Sequence, residues 1–289
     1  MDTVWSQYIQ GCMTLYASRS LRFHDRFRDR YLPLFDLPEG PLRILEIGCG
    51  PGALAGALHR WYPKAEILGL DRDREFIRFA REHEPGVLFQ EGDAAALPFP
   101  ADQFDVTISN TVQEHVEPSG FFGEQLRVLK PGGVCLVLSS RRGLRAAAPC
   151  LEWNEAEQRF WEKTAELDDS MEKYGICRYP MTEAELPAAM VKYGFRDVRT
   201  GYVTADLTPD DPSVSPDLAR EMILSGKYND LEALDSAVLT LGGRIDPEEA
   251  KQVRRRIEEK YALRLEQYAR GEKQWDTSVS VIMAVRGVK

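Results

Sequence analysis

At 289 residues, 43% hydrophobic and 29% charged, the chain can bury a sizeable core as one large domain or two small ones. No run of about 18 apolar residues occurs, which disfavours a membrane span. A formal net charge of −9 disfavours a broad nucleic-acid or anionic-membrane footprint. The five cysteines, Cys12, Cys49, Cys135, Cys150 and Cys177, are odd in number and form no C-x-x-C pair. Reduced thiols, a cytoplasmic setting and no structural metal are the expectation, and the opening MDTVWSQYIQGCMTLY lacks the basic-then-apolar pattern of a secretory signal.

Residues 1 to 40 read as helical with a break. Trp5, Tyr8, Ile9, Cys12, Met13 and Tyr16 recur at three- and four-residue spacing and give one apolar-aromatic face. The next segment interleaves Arg19, Arg22, Arg26, Arg28 and Arg30 with Leu21, Phe23, Phe27 and Tyr31, diluted by Asp25 and Asp29. That mixture suits a solvated amphipathic helix better than a nucleic-acid contact. A helical cap over the loop that follows is the preferred reading, with plain core packing of the aromatic face left open.

Pro38, Gly40 and Pro41 punctuate the approach to the core. Beyond them the pattern predicts strand 42–47, helix 53–61, strand 65–71, helix 74–84, strands 87–91 and 104–110, a helix near 118–129 and strand 134–140. Such alternation implies a parallel sheet with helices on both faces. Between the first strand and helix lie Gly48, Gly50 and Gly52, where backbone lacking Cβ lets a ligand approach the free N–H groups of the helix start. Gly48, Gly50 and Ala53 satisfy G-x-G-x-x-G/A, a weak signal shared by dinucleotide sites and by turns that merely need glycine. Asp71, nineteen residues beyond Gly52, can accept from both hydroxyls of a ribose, yet a nicotinamide dinucleotide would use it equally.

The order of the motifs around that loop resembles the class I S-adenosylmethionine-dependent methyltransferases. ILEIGCGPG is similar to their first motif, with Glu46 as the acid before the glycines, and ILGLD, ending at Asp71, to the second strand. EGDAAALPFP, with Asp93, looks like the third motif, and FDVTISNTVQEHV with RVLKPGG looks like the fourth strand, its helix and the lead into the fifth strand. Residues 42 to 140 carry the likeness, nearest to the small-molecule subgroup that includes quinone-biosynthesis enzymes. It implies an α/β, Rossmann-like, doubly wound seven-stranded sheet whose last strand is antiparallel. Residues 1–40 would form the helical cap and 41–289 the methyltransferase domain, with helical insertions at about 141–181 and 208–274.

The implied cofactor is S-adenosyl-L-methionine, with S-adenosyl-L-homocysteine as product. By the resemblance, Glu46 and the backbone of Gly48, Cys49, Gly50, Gly52 and Asn110 would surround the methionyl part. Asp71 would hold the ribose, Asp93 and the Ala94 backbone the adenine, and Leu70, Arg72, Ala95 and Leu97 would wall the adenosine. An Asx turn at Asp93 and a satisfied buried carboxylate at Glu46 are the structural alternatives.

After Ser140 the character changes. An acidic helical stretch runs from Glu152 to Glu172, Thr182 and Glu185 form a capping box for a helix to about Tyr193, and 195–207 reads as a sixth strand. Two helices, 217–241 and 247–271, separated by Gly242 and Gly243, precede the final strand TSVSVIMAVRGV. This helical insertion reads as a lid or an oligomer contact. The small-molecule methyl acceptor is expected among Trp5, Tyr8, Tyr16, Asn110, Gln113, Trp153, Arg178 and Tyr179, with Arg178 suited to holding an acid.

His115 or Glu114 could assist if the acceptor must lose a proton, although a structural role is favoured for His115 and no catalytic residue is assigned. Two other readings stay open: a nicotinamide-dependent oxidoreductase on the same loop, and a non-catalytic protein whose segments 1–40 and 208–274 form a partner surface.

Overall fold

Residues 4–167 and 173–289 are described by a computed structural model. Its centre is a seven-stranded sheet: β1 (Arg43–Ile47), β2 (Glu66–Asp71), β3 (Leu88–Glu91), β4 (Phe104–Asn110), β5 (Leu129–Ala146), β6 (Arg196–Leu207) and β7 (Thr277–Val288), in spatial order β3-β2-β1-β4-β5-β7-β6. The first five strands pair parallel, while β7 runs antiparallel to both β5 and β6. Strand order reverses between β1 and β4, and ligands of open α/β sheets bind at the carboxyl edge of such a reversal.

Helices α1 (Val4–Tyr8), α2 (Cys12–Arg22), α3 (Arg28–Phe35), α4 (Ala53–Trp61), α5 (Arg74–His83) and α6 (Pro118–Val128) surround that sheet. Side chains alternate along a strand, so β1 feeds two cores. Ile44 joins Phe27, Tyr31, Phe35, Leu58 and Trp61 on one face, and Leu45 and Ile47 join Phe121, Phe122 and Met283 on the other. By the same alternation Glu46 falls on the face that α4 covers, which brings a carboxylate under the start of that helix.

The insertions build a third core. Helix α7 (Glu155–Leu167), α9 (Pro216–Leu241) and α10 (Pro247–Ala269) bury Phe160, Ile223, Leu234, Val253 and Ile257 together, while α8 (Glu185–Lys192) covers the β6–β7 side of the sheet. Charges inside this insertion are paired, as burial demands: the Lys260 ammonium lies 3.1 Å from Glu157 and 3.4 Å from Asp230. Arg264, fully buried, reaches Asp210 at 2.8 Å and Asp276 at 2.6 Å. Asp210 also accepts the N–H groups of Gln274 and Trp275, fixing the return of the chain into β7. No helix among the described residues is long and apolar enough to cross a membrane.

Most elements fall within two residues of their expected bounds, with two clear differences. β5 is longer at both ends: it starts at Leu129 rather than 134, with Leu129 opposite Phe104 of β4, and extends six residues past Ser140, because Arg141–Ala146 pairs with β7 as far as Ala146 opposite Thr277; the polar sequence of that extension gave no local sign of it. α7 starts at Glu155 rather than Glu152, since Asn154 caps it by accepting from Ala156 and Glu157 N–H groups; the end of the expected acidic helix, 168–172, lies outside the described residues. The Thr182–Glu185 capping box forms reciprocally, Thr182 N–H donating to Glu185 at 2.8 Å and Glu185 N–H to Thr182 Oγ1 at 3.3 Å.

Candidate active site

A crevice opens at the carboxyl ends of β1, β2, β3 and β4, lined by Glu46, Gly48, Cys49, Gly50, Pro51, Leu70, Asp71, Arg72, Gly92, Asp93, Ala94 and Asn110. Gly48 and Gly50 hold φ of +67° and +53°, conformations that side chains with Cβ adopt at a cost. A Cβ on Gly48 would meet Val112 Cγ2 at 2.4 Å, whereas the space before Gly50 is open apart from Leu15 at 3.5 Å. Gly52 does not line the crevice. It caps α4 in the left-handed region, and a Cβ there would press on Ala80 and Phe89 at 3.0 Å, so its task is to seat helix against sheet.

Two carboxylates close the floor. Asp71 accepts the Gly50 N–H through Oδ2 and the Asp73 N–H through Oδ1, each at 2.8 Å, which shapes the loop and leaves further lone pairs for a ligand. Burial raises its pKa against those two N–H groups. Glu46 is 2% exposed and its Oε2 has no hydrogen-bond partner. Burial first, then the Asp71 charge, hold its pKa well above the usual carboxylate range, with only the Ala55 backbone N–H opposing. An orphaned buried carboxylate is costly, and a ligand ammonium arriving there would relieve the cost. The donor set therefore fits S-adenosylmethionine: acid for the amino group, acid for vicinal hydroxyls, Cβ-free backbone between, and apolar walls from Leu15, Leu70 and Ala94.

Asp93 has both a turn-forming bond, the Asx turn in which Oδ1 accepts the Ala95 N–H at 2.8 Å, and a place on the crevice wall. Leu97 and Ala95 do not line it: Leu97 is buried in the second core and Ala95 lies against Gly120.

The cap is tied across this crevice on both sides. Ser6 gives Asp73 two hydrogen bonds of 2.9 Å, through its N–H and its hydroxyl, and the Gly11 N–H donates to Glu232 of α9. These bonds carry Trp5, Gln10, Leu15, Arg19 and Phe23 over the glycine loop. Arg19 and Arg22 are not the solvated face that the interleaved acids suggested. The Arg19 guanidinium turns inward to Thr111 Oγ1 at 3.0 Å, and burial first, then Arg22, bring its pKa down to about 9. Thr111 follows β4 at φ +54°, a strained setting for a β-branched residue of the kind that clusters at functional sites.

A second cavity of about 710 Å³ lies beyond the crevice, and Trp5, Gln10, Arg19, Thr111 and His115 line both. His115 accepts the Cys177 N–H at Nδ1, 3.0 Å away, and meets the Trp5 ring edge-on at 4.7 Å. Burial, then Arg72, lower its pKa to about 4. With Nδ1 engaged as an acceptor the neutral ring carries its proton on Nε2, so it offers a donor rather than a base.

Several expected acceptor residues lie elsewhere. Tyr16 faces α5, donating to Glu84 Oε1 at 2.7 Å beside Phe79 and His83. Tyr8 stacks on Tyr174, and Trp153 on Trp161. Arg178 and Tyr179 line neither cavity. Tyr179 braces the turn after β4 through its backbone, which accepts from Gln113 Nε2 at 2.8 Å and donates to the Glu114 carbonyl at 2.9 Å. Their aromatic and basic character reads as site-like in sequence, but packing of local neighbours claims it.

Residues 45–137 match a family model described as a methyltransferase domain. A fatty-acid O-methyltransferase of Mycolicibacterium smegmatis is 40% identical over 103 residues, 34% of this chain and 37% of that protein. A demethylmenaquinone methyltransferase of Thermus thermophilus is 39% identical over 118 residues, 39% of this chain and 53% of its own length. The chain thus spans about half or less of these curated relatives. A solved structure of Haemonchus contortus phosphoethanolamine N-methyltransferase 2 with S-adenosyl-L-methionine superimposes with a TM-score of 0.53 at 16% identity, covering 99% of this chain and 59% of that one, which speaks to the fold. The antiparallel β7 between β5 and β6 departs from the all-parallel order of the dinucleotide fold. The sheet order, the glycine loop with its two floor carboxylates and the matched segment together make residues 45–137 of this chain resemble the class I S-adenosylmethionine-dependent methyltransferases.

Proposed function

We propose that the chain methylates a small molecule held in the cavity beyond the crevice. The observation that carries this reading is the wall shared by the two spaces, where Trp5, Gln10, Arg19, Thr111 and His115 stand between cofactor and acceptor. In the crevice, Glu46 takes the amino group, Asp71 the ribose hydroxyls, Asp93 the adenine amino group, and the backbone of Gly48, Cys49, Gly50 and Asn110 the methionyl part, with Arg72 and Ala94 as walls. When bound, the cofactor supplies an electrophilic methyl group on a sulfonium whose departure leaves a neutral thioether.

The chain's own contribution is then alignment and exclusion of water. The hydrogen bonds of Ser6 and Gly11 hold the cap shut over the loop, and Arg19 and His115 stand where the two spaces meet. No acid–base pair is required of the protein when the acceptor atom already carries a reactive lone pair, and His115 is not placed to act as one. Helices α9 and α10 of the insertion serve as the far wall of the acceptor cavity.

Incubating the protein with methyl-labelled cofactor and a metabolite extract, followed by mass spectrometry, tests this. Label recovered in a small organic molecule supports the reading; label retained wholly by the cofactor while S-adenosylhomocysteine binds tightly would overturn it in favour of a non-catalytic role.

A further inference from the structure

The larger cavity carries a charge pattern that its packing does not use. Arg19 and Arg22, one turn apart on α2, and Arg145, from the part of β5 beyond Ser140, all line it. Among the described residues none of the three lies within ion-pair distance of a carboxylate, although Arg141, Arg256 and Arg264 nearby each have one. The acids of the cavity wall are largely spent. Asp230 is held by Lys260 at 3.4 Å and by the Tyr261 hydroxyl at 3.1 Å, and Asp276 by Arg264 at 2.6 Å. Glu114 is the remaining one; burial raises its pKa, its Oε2 has no hydrogen-bond partner, and Arg19 and Arg141 oppose its charge, which leaves Arg22 and Arg145 without an acid. The surplus on the wall is positive.

Arg145 is exposed, whereas burial makes the charges of Arg19 and Arg22 expensive. Arg19 and Arg22 both have lowered pKa values with burial as the leading cause, and Arg22 adds like-charge repulsion to Arg19. Unpaired buried guanidinium groups are held at a cost that an incoming anion removes. The rest of the wall is mixed: Ile9, Leu21, Leu151, Ile176, Met222 and Ile223 give it apolar patches among polar residues such as Ser140, Ser225 and Asn229. A planar guanidinium with parallel N–H donors matches carboxylate and phosphate oxygens, and the apolar patches would cover a hydrocarbon body.

We propose that the methyl acceptor is an amphipathic organic anion, a carboxylate or phosphate ester with an apolar body, whose charged group is bound among Arg19, Arg22 and Arg145. The proposal rests on the methyltransferase reading and narrows its substrate. It also moves the acid-binding role from Arg178, outside the cavity, to arginines that the sequence presents as solvated.

Calorimetric titration of the full chain with four probes of equal chain length, octanoate, octyl phosphate, octanol and octylamine, each with and without saturating S-adenosylhomocysteine, tests it. The expected result is that at least one anion binds about tenfold or more tighter than octanol, and octylamine weakest; the two anions compared with each other distinguish carboxylate from phosphate. Arg22→Gln and Arg145→Gln should each lower anion affinity about tenfold, leave octanol within about twofold, and leave S-adenosylhomocysteine affinity unchanged, since neither residue lines the crevice. Equal affinity for all four probes, binding of none, or anion affinity indifferent to both substitutions overturns the proposal. Failure of S-adenosylhomocysteine to bind refutes the methyltransferase reading separately, and the probe titrations without it still decide whether the cavity selects anions.

Discussion

Glu46→Gln separates a ligand-binding carboxylate from a structural one, because the two roles predict opposite signs in two assays. The carboxyl is 2% exposed, Oε2 lacks a partner, and its folded-state pKa stands well above the ordinary 4.5. Below about pH 4.5 it is protonated in both folded and unfolded chains and costs nothing through ionisation. As pH rises toward the folded-state pKa, the unfolded carboxyl ionises while the folded one keeps its proton, so the free protein loses stability over that interval. An uncharged, near-isosteric amide removes this slope.

Leaving such a group buried and unsatisfied costs about 1–3 kcal/mol. At about 2 °C per kcal/mol for a chain of this size, the ligand-free variant should melt about 2–6 °C above the native protein at neutral pH. Affinity for S-adenosylhomocysteine should instead fall. A charge-assisted hydrogen bond to the ammonium group contributes about 1.5–3 kcal/mol, which corresponds to roughly ten- to hundredfold weaker binding. Thermal melts followed by circular dichroism and calorimetric titration read the two effects. A variant that melts lower and binds as tightly as the native protein would refute the reasoning at both steps, and would make Glu46 an ordinary structural acid.

Gly48→Ala forces a Cβ into the left-handed region and toward Val112 at 2.4 Å; it should cost about 1–3 kcal/mol of stability and weaken S-adenosylhomocysteine binding. Gly243→Ala, where a Cβ meets nothing within 4 Å, is the control and should change neither. Lys260→Met leaves Glu157 with Arg256 alone at 3.6 Å and should destabilise the helical insertion by about 3–5 kcal/mol; the double change Lys260→Met with Glu157→Gln should recover most of that in denaturant melts, and failure to recover would deny the coupling. His115, with its pKa lowered to about 4, should show no imidazole titration between pH 5 and 8 by nuclear magnetic resonance. Its unfolded form gains a proton below the ordinary 6.5 while the folded ring stays neutral, so its contribution to stability is present above that value and fades as pH falls toward 4; a titration midpoint near 6.5 would contradict the geometry around Nδ1.

The glycine loop, its flanking strand and helix, Glu46 and Asp71 were legible because their signals are local. Period-two burial, Cβ-free backbone and a carboxylate at a strand end need no knowledge of distant residues. The Thr182–Glu185 capping box was readable for the same reason. Arg19 and Arg22 were not, since alternating acids and bases around them look like a solvated face. Their inward turn depends on α9 packing Leu218, Ala219 and Met222 against Leu21 from about two hundred residues away. The extension of β5 likewise exists only because β7 returns beside it. Tyr16 and Trp153 misled because an aromatic side chain fits a pocket and a helix interface equally well. Nothing in residue type announces which one the fold supplies.

Titration of S-adenosylhomocysteine into the full chain and its Asp71→Ala variant decides whether the two floor carboxylates and the Cβ-free loop hold S-adenosylmethionine. The native chain should show one site with a micromolar dissociation constant, on the order expected for a working cofactor. In the variant, loss of charge-assisted hydrogen bonds to ribose, together about 3 kcal/mol, predicts binding weakened about a hundredfold. No detectable heat with the native chain at millimolar ligand, or equal affinity in both proteins, would contradict it.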